Sequence, residues 1–469
     1  MTTKRDPSPL AVSAVLFAVA FTLRFVVAAW LAGEPVWDGH YYDFGARRIA
    51  EGHGYSDDRI VDGHAVWHPW CHYPVGYSAY LGAFYKLFGA SHLTAHVANA
   101  LVGGLSAVVV YLLAREALSP WRSRIAGALV ALHPGLVLYG ALAMSEPLSG
   151  LLVMAAFWVA LVVARRRPHP LAGPAYGAIV LGVAALVRPQ ALLCAPFLAL
   201  AIRRGRLTWK LGAAGALVAC VLALVPVMPW TVRNCRVMDG CALVSTNAGW
   251  NLAIGAFPRA TGRFEGLHSS DGCREVTGQV QQDRCWLAYG LDHIRRDPLR
   301  WLGLVPAKLS YTFDHESFQV EYLREARPSD WPEARRVAWR NALTNAHRLL
   351  VAIAPLAFVA FALRSRTQTV LLAATVLAAA FAFTRDTPVF WPLVLVTCVL
   401  AWLPLPGRPE PVPALLMSVG LVATTALAHA IFFGEDRYHV AVTPALCLLA
   451  AAALRAPRAA PQNTRGAST

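Results

Sequence analysis

LAVSAVLFAVAFTLRFVVAAWL, residues 10–31, decides the fold. It carries one charge, Arg24, in a run long enough to cross a hydrocarbon core as a helix. The run is too long for a signal-peptide core and has no small-residue cleavage signature, so it is expected to remain as an anchor. Runs of the same kind recur to the far end. The expected spans are 10–31, 94–114, 122–142, 146–164, 171–187, 190–202, 210–230, 340–363, 367–384, 388–404, 411–433 and 438–454. The expected fold class is therefore an all-α polytopic membrane protein of about 12 transmembrane helices (11–13). Two large structured loops, 32–93 and 231–339, belong to one membrane domain over residues 1–455, and 456–469 form an unstructured tail. Composition agrees: 57% of residues are hydrophobic and 15% charged, against roughly a quarter charged in soluble domains.

The formal net charge of +15 does not mark a nucleic-acid partner, because the basic residues flank apolar runs instead of forming a stripe. Lys4, Arg5, Arg115, Arg122, Arg124, Arg165, Arg166, Arg167, Arg203, Arg204, Arg206, Lys210, Arg364, Arg366, Arg408, Arg455 and Arg458 all fall on one side if the spans alternate. The positive-inside rule makes that side cytoplasmic, with both termini, and turns the two long loops outward. Those loops are rich in Trp, Tyr and Phe, which disordered segments lack. In the first, Asp38 is placed to N-cap a helix to about Glu51, with Gly52 stopping it; Tyr42, Gly45, Ala46 and Ile49 share a face, suiting the outer membrane surface. A second short helix is expected from Val75 to about Phe88. The second loop should hold helices at about 281–297 and from Pro298 to about Phe313. Cys235–Cys241 and Cys273–Cys285 would close short loops in an oxidising space; free thiols are the open alternative.

Six segments, in this order, resemble the GT-C superfamily of membrane glycosyltransferases, in the branch of protein O-mannosyltransferases and bacterial aminoarabinose transferases. They are WDGHYYDFGARRIAEGHGY (37–55), HYPVGYSAYLGAFYKLFG (72–89), ALHPGLVLYGALAMSEPL (131–148), ALVRPQALL (185–193), PWTVRNCRVMDGCALVSTNAGWNLAIGAFPRATGRF (229–264) and GEDRYHVAVTPAL (434–446). His68–Pro69–Trp70–Cys71–His72 departs from the commonest pattern in its histidines. The resemblance implies transfer of a sugar from a polyprenyl-phosphate carrier to a lipid, glycan or protein acceptor outside the cytoplasm, at an inner membrane, with inversion.

A phosphate leaving group needs no general acid, so one carboxylate suffices as base toward the acceptor. The resemblance assigns Asp38 that role; the structural alternative is a helix cap. Asp43 is the fallback, expected on the solvated face. Cations would hold the departing phosphate. Arg437, beside Tyr438, and Arg188 are the candidates, with Arg233 a third, and interfacial snorkelling is the alternative for each. Glu146 would contact acceptor or a basic partner, or favour a helix N-terminus. Tyr42 and Asn251, with Asn247 and Trp250, suit sugar recognition or simple loop packing. Arg24 is expected to face protein or water and to pair with an acid near Asp38, with snorkelling the alternative. No cofactor is required by this chemistry. A divalent metal held by His40, His53, His64, His68 or His72 with Asp57, Asp58 or Asp62 is the one metal alternative, although the spacing fits no standard zinc pattern. Two other classes remain open: a transporter or lipid-glycan flippase, and a non-catalytic component of an envelope-assembly complex.

Overall fold

A computed structural model describes residues 6–203, 205, 208–359, 366–384, 389–404 and 412–454. The tail 456–469 and the anchors Lys4, Arg5, Arg204, Arg206, Arg364, Arg408, Arg455 and Arg458 lie outside these residues.

α1 (Pro9–Leu31) begins at Ser8, whose hydroxyl accepts from Ala11 N. α2 (Asp38–Ala50) is followed by an antiparallel hairpin, β1 (Ser56–Val61) and β2 (His64–Pro69), with Ser56 opposite Pro69. α3 (Val75–Phe88), α4 (His92–Ala114), α5 (Pro120–Leu132), α6 (Pro134–Tyr139), α7 (Glu146–Arg166) and α8 (Ala172–Val187) come next. A 3-10 segment (Pro189–Ala201) leads into α9 (Trp209–Leu224) and α10 (Met228–Val237). The second loop carries α11 (Ala248–Ala256), α12 (Gln279–Arg296), α13 (Pro298–Gly303), α14 (Val305–Phe313) and α15 (Phe318–Ala326). The chain ends in α16 (Glu333–Ile353), α17 (Leu356–Val359), α18 (Arg366–Thr384), α19 (Trp391–Trp402), α20 (Pro413–Ile431), a turn at Asp436–Ala441 and α21 (Thr443–Ala453). One apolar core joins most of these helices; α1 packs on α4, and α7 on α4 and α8.

The all-α, polytopic expectation holds, apart from the unforeseen hairpin. The count of twelve spans does not emerge. Among the described residues six helices are long and apolar enough to cross a membrane, or seven if α9 and α10, bent by 45°, form one span. The expected spans 171–187, 190–202, 388–404 and 438–454 are shorter helical segments here. Span 122–142 is broken at His133–Pro134, where proline has no N–H to continue α5. The break frees carbonyls at the end of α5, and Arg24 answers them. Its Nη1 donates to Ala131 O at 3.0 Å and its Nη2 to Val130 O at 2.7 Å. Arg24 therefore pairs with backbone, not with an acid near Asp38. Gly103 and Gly140 make room for it, since a Cβ at either would press on its side chain.

Both expected disulfides form, Cys235–Cys241 and Cys273–Cys285; Cys71, Cys194, Cys220, Cys398 and Cys447 are free. They tie α10 to the loop after it and α12 to the preceding loop.

Candidate functional site

The site is built where α2 begins. Trp37 takes the N-cap position with a left-handed φ of 51°, and no side chain caps the helix. That backbone conformation is costly for a bulky residue. Packing holds it: the Trp37 ring lies 5.6 Å from Phe318 and 5.8 Å from Tyr322. Asp38 is thus the first helical residue and not the cap that its type suggests. Its carboxylate, released from capping, turns to side chains instead. Oδ1 accepts from the Tyr73 hydroxyl at 2.8 Å, and Oδ2 pairs with Arg437 Nη1. Burial alone would raise the Asp38 carboxyl. Arg437, the Tyr73 hydroxyl and Arg188 together hold it below the usual carboxylate range.

Arg437 comes from the 436–441 turn at the other end of the chain. Its Nε lies 2.7 Å from Glu435 Oε2, an ion pair by distance but out of hydrogen-bond alignment. Burial pushes the Glu435 carboxyl up to about 6, with Arg437 opposing and Asp38 adding to the rise. Arg188 caps the C-terminal end of α8 and donates from Nη1 to Glu146 Oε1 at 2.7 Å and to Ser145 Oγ at 3.3 Å. Glu146 opens α7 and is 1% exposed, so this pair is a buried one. Tyr42 Oη meets the same Ser145 hydroxyl at 3.3 Å. Tyr438 joins the two halves. The Arg437 guanidinium lies 5.0 Å from its ring centre and that of Arg188 5.3 Å. His429 stacks on that ring at 4.0 Å.

Asp38, Arg437, Tyr438, Arg188, Glu146 and Tyr42 therefore form one cluster, although they span the whole chain. Two residues absent from the sequence reading belong to it, Tyr73 and Glu435. Both lie inside quoted motifs, Glu435 two positions before Arg437 and Tyr73 in the 72–89 segment, and that was the available signal. Asp43 is not a solvated residue: it is 9% exposed, bonded to the Tyr85 hydroxyl and, at 2.7 Å, to Arg47 Nε. Arg233 lies elsewhere. It donates to Tyr55 O at 2.6 Å and Trp70 O at 3.0 Å, fastening the first loop to α10. Asn251 stands on α11 outside the cluster, but its neighbour Trp250 approaches it through His72, whose ring lies 6.0 Å from Trp250 and 5.0 Å from Tyr73. Among the described residues, the first-loop histidines form no group with metal-ligand geometry.

Chemically, the cluster offers an ionised carboxylate at a helix start with two guanidinium groups within reach of one ring. Such a layout can accept a proton and hold a dianionic oxygen cluster side by side.

Residues 72–232, about a third of the chain, match a family model described as dolichyl-phosphate-mannose-protein mannosyltransferase. The matched segment contains Tyr73, Glu146 and Arg188. No curated protein matches. Solved structures that resemble the chain include the archaeal oligosaccharyltransferase AglB from Archaeoglobus fulgidus, in complex with an inhibitory peptide and a dolichol-phosphate. The identity is 14% and the TM-score 0.44, over 94% of this chain and 50% of that one. The apo form of the Archaeoglobus fulgidus oligosaccharyltransferase gives 14% and 0.43, over 97% and 57%. ArnT from Cupriavidus metallidurans, bound to undecaprenyl phosphate, gives 15% and 0.36, over 92% and 77%. The chain spans about half the length of the oligosaccharyltransferases. The match over residues 72–232 supports the resemblance drawn from the motifs, that of a GT-C membrane glycosyltransferase.

Proposed function

We propose that the protein transfers a sugar from a polyprenyl-phosphate carrier to an envelope lipid, glycan or protein, on the extracytoplasmic side of the inner membrane. The observation that carries this reading is the Asp38–Arg437 pair, a carboxylate and a guanidinium from opposite ends of the chain, with Arg188 across the Tyr438 ring.

Asp38 is the general base. The acceptor O–H gives its proton to Asp38 as the acceptor oxygen bonds to the anomeric carbon. The bond from that carbon to the phosphate oxygen breaks, and its electron pair leaves with the carrier phosphate. One displacement at carbon inverts the anomer. Arg437 and Arg188 receive the phosphate, and Tyr438 keeps both cations at one place. Arg437 has two roles in sequence. In the resting site it neutralises Asp38 and holds its carboxyl low. A phosphate that draws the guanidinium away leaves Asp38 more basic at the step that needs a base. Tyr42 and Glu146 orient Arg188 through Ser145 and the buried ion pair. Arg233 acts on this site only by holding the first loop. These steps require no metal or other cofactor.

Lipid and glycan analysis of a deletion strain, complemented with wild type or Asp38→Ala, tests the function. A glycan or lipid lacking one sugar, restored by wild type and not by Asp38→Ala, is the expected result. Unchanged envelope glycans in the deletion strain would contradict it, and restoration by Asp38→Ala would fit a non-catalytic component.

A further inference from the structure

Behind the Asp38 cluster, three side chains from distant parts of the chain meet in the interior. Glu316 lies between α14 and α15, His347 on α16 and His439 on the 436–441 turn. Glu316 is 1% exposed and both histidines 0%. One ligand atom from each lies within 4.8 Å of the others. The two imidazole rings stack at 3.6 Å.

The hydrogen bonds fix which nitrogen of each ring carries its proton. His347 Nε2 contacts Phe313 O at 3.0 Å, and His439 Nδ1 contacts Thr312 O at 2.7 Å. A carbonyl only accepts, so each of these nitrogens carries the hydrogen. In the neutral rings, His347 Nδ1 and His439 Nε2 are then left as lone pairs. Both are buried without a hydrogen-bond partner. Glu316 Oε1 accepts from Gln319 Nε2 at 2.5 Å, while Oε2 has no hydrogen-bond partner and lies 3.5 Å from His439 Nε2. With Glu316 ionised, three acceptors thus converge in the protein interior with no donor among them. A proton on His439 would pair it with Glu316, but it would leave His347 Nδ1 unanswered and stack an imidazolium on a second ring.

We propose that Glu316, His347 and His439 bind one divalent cation of the zinc class. Two neutral imidazoles and a carboxylate are a donor set for such ions. The carbonyl bonds from the far ring nitrogens, and the Gln319 amide on Glu316, are the orienting contacts that metal ligands use. Zinc bonds of about 2.0–2.1 Å set tetrahedral ligands about 3.4 Å apart. The Glu316–His439 separation of 3.5 Å already matches, and to bind the ion the two stacked rings turn about their carbonyl-bonded nitrogens until both free lone pairs point at it.

The ion's place in the fold gives it a structural task. His439 is two residues from Arg437, on a turn also fastened by Asp436, which accepts from Phe318 N at 3.0 Å and Ser317 Oγ at 2.9 Å. The cation joins that turn to α16 and so fixes Arg437 without touching the reactants.

The test is the metal content of the full-length protein, purified in detergent without chelator and measured by mass spectrometry for manganese, iron, cobalt, nickel, copper and zinc. About one zinc-class ion per chain is expected, falling below a tenth in His347→Ala and Glu316→Gln. Chelation should lower the melting temperature of the wild type, and added zinc chloride should restore it; in His347→Ala neither should act. If the variants do not fold, the wild type decides alone, through its metal content and the ligand-field spectrum of protein loaded with cobalt(II). No stoichiometric ion in the wild type and no uptake of added zinc would overturn the proposal, leaving a buried glutamate–histidine pair. Equal metal in His347→Ala would overturn it as well.

Discussion

Tyr438 has a guanidinium 5.0 Å from its ring centre and a second at 5.3 Å, and each guanidinium is tied to its own carboxylate. Removing a partner of the buried pair is therefore more harmful than removing a surface charge. Arg188→Ala leaves Glu146 buried and unpaired and should cost about 3–5 kcal/mol, read as a fall in unfolding midpoint in detergent. A change below about 1 kcal/mol would show Glu146 to be satisfied otherwise. Glu435 gives a pH dependence with a definite sign. Its carboxyl is raised from the usual 4.5 to about 6, so folding favours the protonated form. Its contribution is present below pH 4.5 and is lost as pH rises through 6, a difference of no more than about 2 kcal/mol. Glu435→Gln, which mimics the protonated acid, should remove that decline when unfolding midpoints are compared at pH 5 and pH 7. At this scale the sequence showed residue types but not partners. Asp38, Arg188 and Arg437 were legible because motifs carry them. Glu316, His347 and His439 were not, because three ligands spread over 124 positions make no spacing pattern.

The start of α2 and the break between α5 and α6 show what an element adds to its residues. Helix α3 falls at its expected limits, since Pro74 and Gly89 punctuate it and the φ of Gly89 is 84°. The expectation of an Asp38 cap failed because tertiary packing of Trp37 on Phe318 and Tyr322 overrode a local preference. The 122–142 run read as one span because its hydropathy is continuous, yet Pro134 divides it and Arg24 satisfies the carbonyls so exposed. Without that donor, two carbonyls would lie unpaired in an apolar interior, at about 1–3 kcal/mol each. Arg24→Leu should lower the unfolding midpoint accordingly, with expression in membranes reduced. Unchanged stability would mean that water or another donor replaces the guanidinium.

Across the whole molecule, hydropathy was enough to give a polytopic helical membrane protein. The number of spans was less legible, because several apolar segments are too short or too broken to be counted by length. Their crossing depends on tilt and packing that no linear window contains. The proposed orientation rests on charge asymmetry and on two disulfides in the second large loop, a bond rare in reducing compartments. A membrane-impermeant thiol reagent should label a cysteine placed at Glu275 in intact cells, and one placed at Arg167 only after lysis; the reverse pattern would invert the topology. The role of Asp38 is measured by glycosyl transfer in membranes containing Asp38→Asn, supplied with the polyprenyl-phosphate sugar and acceptor named by the deletion strain. Transfer reduced at least about a hundredfold at unchanged protein level is the expected result if Asp38 is the base. Full transfer by Asp38→Asn would contradict it.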